Sequence, residues 1–254
     1  MKFPLRQLLF FVGAIGMAIL YALAFAHLPG PEGLRSMYRD VINLQTVEQR
    51  HITDAITAVN FDYRGFDTLG EEFILFVSVM GALVLLREEK DQGGEKVPDA
   101  AWPARSVPPG DALRVWTLWM TGPVVLFGIY IVVHGQLTPG GGFQGGVILA
   151  TAPLLIYMAE NLEVFKRIVS HEWVEIAEAI GAGGYALVGL VAFFHSKPFL
   201  TNVIPLGPGG TNINVLSGGM VPFIDLSVGL EVAAGFVVLL YAFLQEMLAK
   251  RGSE

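Results

Sequence analysis

Glu71, Glu72 and Glu231 interrupt apolar runs that are otherwise free of charge, and Asp67 and Asp225 stand at the edges of the same two runs. On insertion scales an acid at mid-bilayer costs about 2.5–3.5 kcal/mol, so such residues face a bundle interior or a water-filled cavity and often mark ion or proton paths. Asp67 and Glu71, four residues apart, share a face if the helix has begun by then. His134 and His195 end apolar runs on the same side of the membrane. Converging oxygens there suit a hard cation such as sodium, with Glu71 the candidate for transient binding; with the imidazoles, the same acids suit a proton relay. A second reading stays open, in which Asp67 and Asp225 are helix N-caps, Glu71 occupies a favourable first turn and the histidines are interfacial. Glu231 lies too far inside its run to be a cap.

His171, Glu175 and Glu178 recur at i, i+4 and i+7 and so line one face at the start of another apolar run. Such a stripe can pass protons between water and the bundle, or simply meet solvent and the Lys166–Arg167 pair. The segment from His134 to Gly146 is the most unusual stretch, with six glycines, among them Gly140, Gly141, Gly142, Gly145 and Gly146, and one proline, Pro139. Glycine permits positive φ and close backbone approach, which fits an irregular element at membrane depth lining a cavity, and equally a close-packed hairpin. Gly181, Gly183, Gly184, Gly189, Gly229 and Gly235 are expected at helix-packing positions.

The elements that must carry these residues are membrane spans. Hydrophobic residues make up 53% of the 254, charged residues 15%, and the mean hydropathy is +0.56, beyond the range of an ordinary soluble domain. A bilayer core of about 30 Å needs roughly 20 helical residues. Laid against the apolar runs, that length predicts an all-α bundle of about six spans: 8–28, 68–86, 115–134, 145–159, 173–195 and 223–245. Glu71, Glu72 and Glu231 are drawn to membrane depth because the runs beyond Glu72 and Glu231 are too short to cross alone. Eleven of the 16 Lys and Arg residues fall on one side of this arrangement, so both termini are expected in the cytoplasm. The expected organisation is a two-span segment, 1–87, with an outer amphipathic stretch over 33–60; a proline-bearing linker, 88–112; and a four-span domain, 113–254. The absence of cysteine removes thiolate ligation of iron–sulfur clusters. The net charge of −7, with no basic stripe, argues against a nucleic-acid partner. No nucleophile elbow, phosphate loop or zinc-ligand spacing is present, and no cofactor is expected.

Two stretches carry a family resemblance. Residues 113–248, through His134-Gly135, the run from Pro139 to Gly146 and Ser217-Gly-Gly-Met-Val-Pro222 leading to Asp225, resemble the B subunit of Mrp-type multisubunit sodium/proton antiporters. Residues 57–87, with Asp62-Tyr-Arg-Gly-Phe-Asp-Thr-Leu-Gly-Glu71, resemble the tail of the large A-type subunit of those antiporters and the corresponding small subunit of membrane-bound hydrogenases. The resemblance implies a prokaryotic cell-membrane subunit that helps couple sodium and proton movement, with other membrane subunits and the lipid bilayer as its partners. It further implies that Glu71, which ends the Asp-Thr-Leu-Gly-Glu motif, takes part in ion transfer. The chain departs from the pattern in joining both pieces and in placing Gln136 where a second histidine is common. A redox-driven complex sharing this module, or a purely structural scaffold, are the alternatives.

Overall fold

A computed structural model describes residues 5–27, 37–86, 110–160 and 162–251. Most of the expected linker, residues 88–109, and the first residues of the outer amphipathic stretch, 33–36, lie outside this set. The chain divides into two compact units, Met1–Leu44 and Gln45–Glu254. The first holds helix α1 (Leu5–Ala26) and the beginning of α2 (Met37–Arg50). Between Phe11 and Ala26, α1 is apolar and carries no charge.

The second unit is helical throughout its regular structure, and no strand occurs among the described residues. Its short α3 (Ala55–Ala58) continues into a π-helical turn, Val59–Tyr63. Then follow α4 (Gly65–Leu86), α5 (Asp111–Val133), α6 (Gly142–Ala159), the short α7 (Leu162–Ile168), α8 (His171–Leu190) with a 3₁₀ turn over Val191–His195, and α9 (Val221–Arg251). Five helices, α4, α5, α6, α8 with its 3₁₀ extension, and α9, are long and apolar enough to cross a membrane, and Phe11–Ala26 is a shorter apolar stretch. The protein is therefore a polytopic helical membrane protein. The expected starts fall within four residues of those observed, the largest shift being in α5, and each of these helices begins earlier than expected.

Helix α9 is the centre of the bundle and packs against α4, α5, α6 and α8. Within its apolar stretch 56% is buried, against 17% for α4 and α5, so the outer helices leave most of their surface uncovered. The main core joins Ile224, Val228 and Val232 of α9 to Tyr185 of α8, Leu69 of α4 and Phe61. A second core at the other end of α9 gathers Val237 and Leu244 with Phe165 and Val169 around α7.

Alternating helix directions put the segment 51–63, the hairpin 134–141 and the long loop 196–220 at one end, where they bind each other. The Gln136 carbonyl accepts from the Thr53 and Asp54 amides at 3.0 and 3.2 Å. The Thr57 hydroxyl donates to the Gly135 carbonyl at 2.8 Å, and the buried Gln136 amide donates to the Val215 carbonyl at 2.6 Å. Asn202 fastens the start of α9 by accepting from the Met220 amide at 3.1 Å. These bonds satisfy backbone groups that irregular segments near a membrane could not otherwise pair.

Candidate functional site

Glu72 of α4, Glu178 of α8 and Glu231 of α9 converge inside the bundle, with residue exposures of 6%, 1% and 1%. Among the described residues, neither carboxylate oxygen of Glu178 or Glu231, nor Oε2 of Glu72, has a hydrogen-bond partner. Glu231 stands within electrostatic reach of both other acids. The helices make room for them reciprocally. Glu178 lies over Gly235 of α9, where a Cβ would come to 3.1 Å from Oε1, and Glu231 lies over Gly181 of α8, where a Cβ would come to 2.7 Å from the Glu231 Cα. Glycine at each facing position lets two backbones approach while a glutamate fills the space beside them.

The series continues toward both ends. Glu178 is within electrostatic reach of Glu175, which is half-exposed and pairs with His171 at 3.4 Å at the start of α8. His171 in turn meets Tyr241 of α9 edge-on. The stripe expected from the spacing thus splits: His171 and Glu175 stay at the surface, and Glu178 belongs to the buried group. At the other end Tyr185 is fully buried and donates to the Gly65 carbonyl at 2.8 Å. Gly65 lines a cavity of about 360 Å³ together with Asp62, Arg64, Asp67, Phe199 and Leu200. The phenol thus touches one residue of the cavity wall and interacts electrostatically with Glu72. Asp62 forms an ion pair with Arg50, Oδ2 lying 2.8 Å from Nε, and the Arg50 guanidinium lies over the Tyr63 ring. Burial pushes the Asp62 carboxyl above its ordinary range, against the opposing pull of Arg50 and an Asn202 hydrogen bond.

Asp225 has a different place. Fully buried on α9, it accepts from the Gly142 amide at 2.8 Å through Oδ1. Gly142 opens α6, whose N-cap, Gly141, has no side chain and holds φ +129°, a conformation glycine favours. Asp225 thus caps a helix from across the interface, a role its position in the sequence did not show. Residues 112–238 match the family described as a domain related to the MnhB subunit of the Na+/H+ antiporter. The chain belongs to this MnhB-related family.

An uncharacterised protein of Methanocaldococcus jannaschii is 30% identical over 248 residues, covering 89% of this chain and 86% of its own. A Rhizobium meliloti protein described as the A/B component of a probable K(+)/H(+) antiporter is 26% identical over 218 residues, 78% of this chain. This chain spans 21% of that protein's length. Among solved structures, a chain of the membrane-bound sulfane sulfur reductase, an archaeal respiratory membrane complex, superposes with a TM-score of 0.69 at 30% identity, covering 96% of this chain and 99% of that one. A chain of the Mrp complex from Dietzia sp. DQ12-45-1b gives 0.70 at 20% identity, with 95% and 26% covered, and shares the fold.

Within the MnhB-related domain the glycine-rich motif forms a close-packed hairpin and helix start. A Cβ on Gly142 would stand 2.7 Å from the Val228 Cβ, and one on Gly146 would stand 2.8 Å from the Val232 Cβ. Gly145 lies against the α5 backbone at Gly128 and Val132, Gly140 against Ile131, and Pro139 is exposed. Of the other glycines, Gly184 and Gly189 pack tightly, and Gly183 faces open space. His134 stacks on Tyr130 at 4.1 Å, and His195 is exposed, with Nδ1 3.3 Å from the Val191 carbonyl. Asp67 is exposed and pairs with Arg64. Glu71 is exposed, about 100° round α4 from the buried Glu72. Spacing did not reveal Tyr185 or the Arg50–Asp62 pair. The depth of Glu178 was available from arithmetic, since it lies two helical turns inside α8.

Proposed function

We infer that this chain is a membrane subunit of a multisubunit monovalent cation/proton antiporter exchanging Na+ and H+, and that it contributes to the ion path as well as to assembly. The observation that carries the reading is the convergence of Glu72, Glu178 and Glu231, buried with no hydrogen-bond partner among the described residues for five of their six oxygens. Bare charges so buried would each cost several kcal/mol, on the order of 3–5 if left unpaired. Their charge has to be met by a proton or a cation, and those are the species an antiporter moves. The ion route runs from the cavity beside Asp62 and Asp67, past Tyr185, along Glu72, Glu231 and Glu178, to Glu175 and His171. Family membership supports this function, and the positive-inside count supports a cell-membrane location with both termini cytoplasmic. The two-span segment 1–87 corresponds to the tail of an A-type subunit, a reading favoured by the similarity to a protein whose description joins A and B.

A second reading, a membrane-arm subunit of a redox-driven complex, is favoured by the near-complete mutual coverage with the sulfane sulfur reductase chain. Purifying the native complex through this protein separates the two. Antiporter-type subunits alone, with sodium-dependent proton movement in proteoliposomes, support the first; co-purifying iron–sulfur subunits, with ion movement only during electron transfer, replace it with the second. If Glu178→Gln and Glu231→Gln leave ion movement unchanged in fully assembled complexes, the buried acids carry no ions.

A further inference from the structure

One face of α4 is uncovered along its whole length in the unit 45–254. Gly70, Glu71, Ile74, Ser78, Gly81 and Leu85 are all exposed, Ile74 at 68% and Leu85 at 86%. At 100° per residue these positions fall on a single stripe, opposite Thr68, Leu69, Glu72 and Val79, which are buried. Most of the stripe is what lipid would accept. Glu71 is not.

Glu71 lies about 9 Å along α4 from Gly65, and the 14 residues between Glu72 and Arg87 rise only about 21 Å, short of a hydrocarbon core of about 30 Å. Its carboxylate therefore enters the membrane on the outward face. Asp67, one turn earlier, has Arg64 beside it. For Glu71 no hydrogen bond or ion pair occurs among the described residues, and α1 carries no Lys or Arg between Leu8 and Ala26. A carboxylate facing hydrocarbon is unfavourable, whereas one facing a cationic side chain of a neighbouring helix is paired and desolvated together with it. The stripe is also shaped for close approach. A Cβ placed on Gly70 or on Gly81 would meet nothing within 4 Å, and the Ser78 hydroxyl already donates to the Ile74 carbonyl at 2.6 Å, so it makes no further demand on a partner.

We propose that this face of α4 is a docking surface for a transmembrane helix of another subunit, one that sets a Lys, Arg or protonated His against Glu71 and packs its backbone over Gly70 and Gly81. The proposal rests on the reading of the chain as one member of a complex, and it is independent of whether the buried acids conduct. It assigns Glu71 to the boundary of the protein rather than to its interior.

The test uses the full chain in its native membranes, with a photo-crosslinking amino acid at Ser78 and, separately, at Ile74. The expected product joins this chain to another membrane protein within an apolar segment that carries a basic residue. Glu71→Lys lowers the yield of that product by about tenfold, Glu71→Gln lowers it less, and exchanging the partner's base for Glu restores it in the Glu71→Lys chain. Lipid adducts alone, crosslinks to residues 1–44 of the same chain, or a partner segment without a base each overturn the proposal. So does an unchanged yield in Glu71→Lys. The crosslink in the unsubstituted Glu71 background needs no altered charge, so misfolding of Glu71→Lys does not decide the matter. Loss of ion movement in Glu178→Gln with the crosslink intact, or the reverse, tells the two readings apart.

Discussion

At the scale of single residues, the acids divide by what surrounds them more than by how deep they lie in the sequence pattern. Glu175 reaches solvent and has His171 beside it, whereas Glu178, less than one turn further on, has neither. Removing the charge of a group that holds the moving ion slows transport, and removing a solvated charge changes little. Glu178→Gln and Glu231→Gln are therefore expected to lower sodium-dependent proton movement by about tenfold or more per assembled complex, with Glu175→Gln well above either, as read by a pH-sensitive dye in proteoliposomes. A neighbouring pair of glycines gives a stability control. A Cβ at Gly181 would strike the Glu231 backbone, whereas one at Gly183 would meet nothing. Gly181→Ala should cost about 1–3 kcal/mol and lower the melting temperature of the purified complex, and Gly183→Ala should leave it unchanged or slightly raised.

At the scale of elements, α6 begins without a side-chain cap of its own and borrows one from α9. The Asp225 carboxyl accepts from the first α6 amide and so satisfies a donor at the helix start. Asparagine keeps an acceptor oxygen at nearly the same position, and alanine keeps none. Asp225→Ala should destabilise the protein by about 0.5–2 kcal/mol, and Asp225→Asn by much less, measured by thermal unfolding in detergent. If Asp225→Asn instead abolished ion movement at normal stability, the carboxylate would belong to the ion route and not only to the helix cap. The hairpin before α6 follows the same logic. Its carbonyls at Gly135 and Gln136 are occupied by Thr57, Thr53 and Asp54, so the segment is fastened from above by the chain that precedes α4.

At the scale of the whole molecule, the side on which this fastened end lies is the consequence that can be checked most directly. In the proposed orientation, which rests on the 11 to 5 division of Lys and Arg, the 134–141 hairpin is expected outside and the segment between α4 and α5 in the cytoplasm. The chain has no cysteine, so single cysteines report without background. Thr138 is exposed, unlike the buried Gln136 two residues before it. A cysteine at Thr138 should react with an impermeant maleimide added to intact cells, and one at Ser106 only after the cells are opened. Labelling of both from one face would reverse or break the six-span arrangement.

The approximate limits of the long apolar helices, and the place of Glu71, Glu72 and Glu231 within them, were legible in the sequence, because a bilayer imposes a fixed length on any apolar segment that crosses it. The Gly-rich run was visible as unusual for the same reason: a surface turn does not need so many glycines. Which way a side chain points from its helix is another matter. Adjacent residues on a helix differ by 100°, so Glu71 and Glu72 look alike in a hydropathy profile and yet face out of the bundle and into it. That assignment depends on which helices flank α4, and only the tertiary packing decides it. The same holds for Glu178, Tyr185 and Asp225, whose neighbours lie 53, 120 and 83 residues away in Glu231, Gly65 and Gly142. Local spacing cannot carry information across such separations. Glycines at Gly181 and Gly235 bring α8 and α9 close enough for their glutamates to meet.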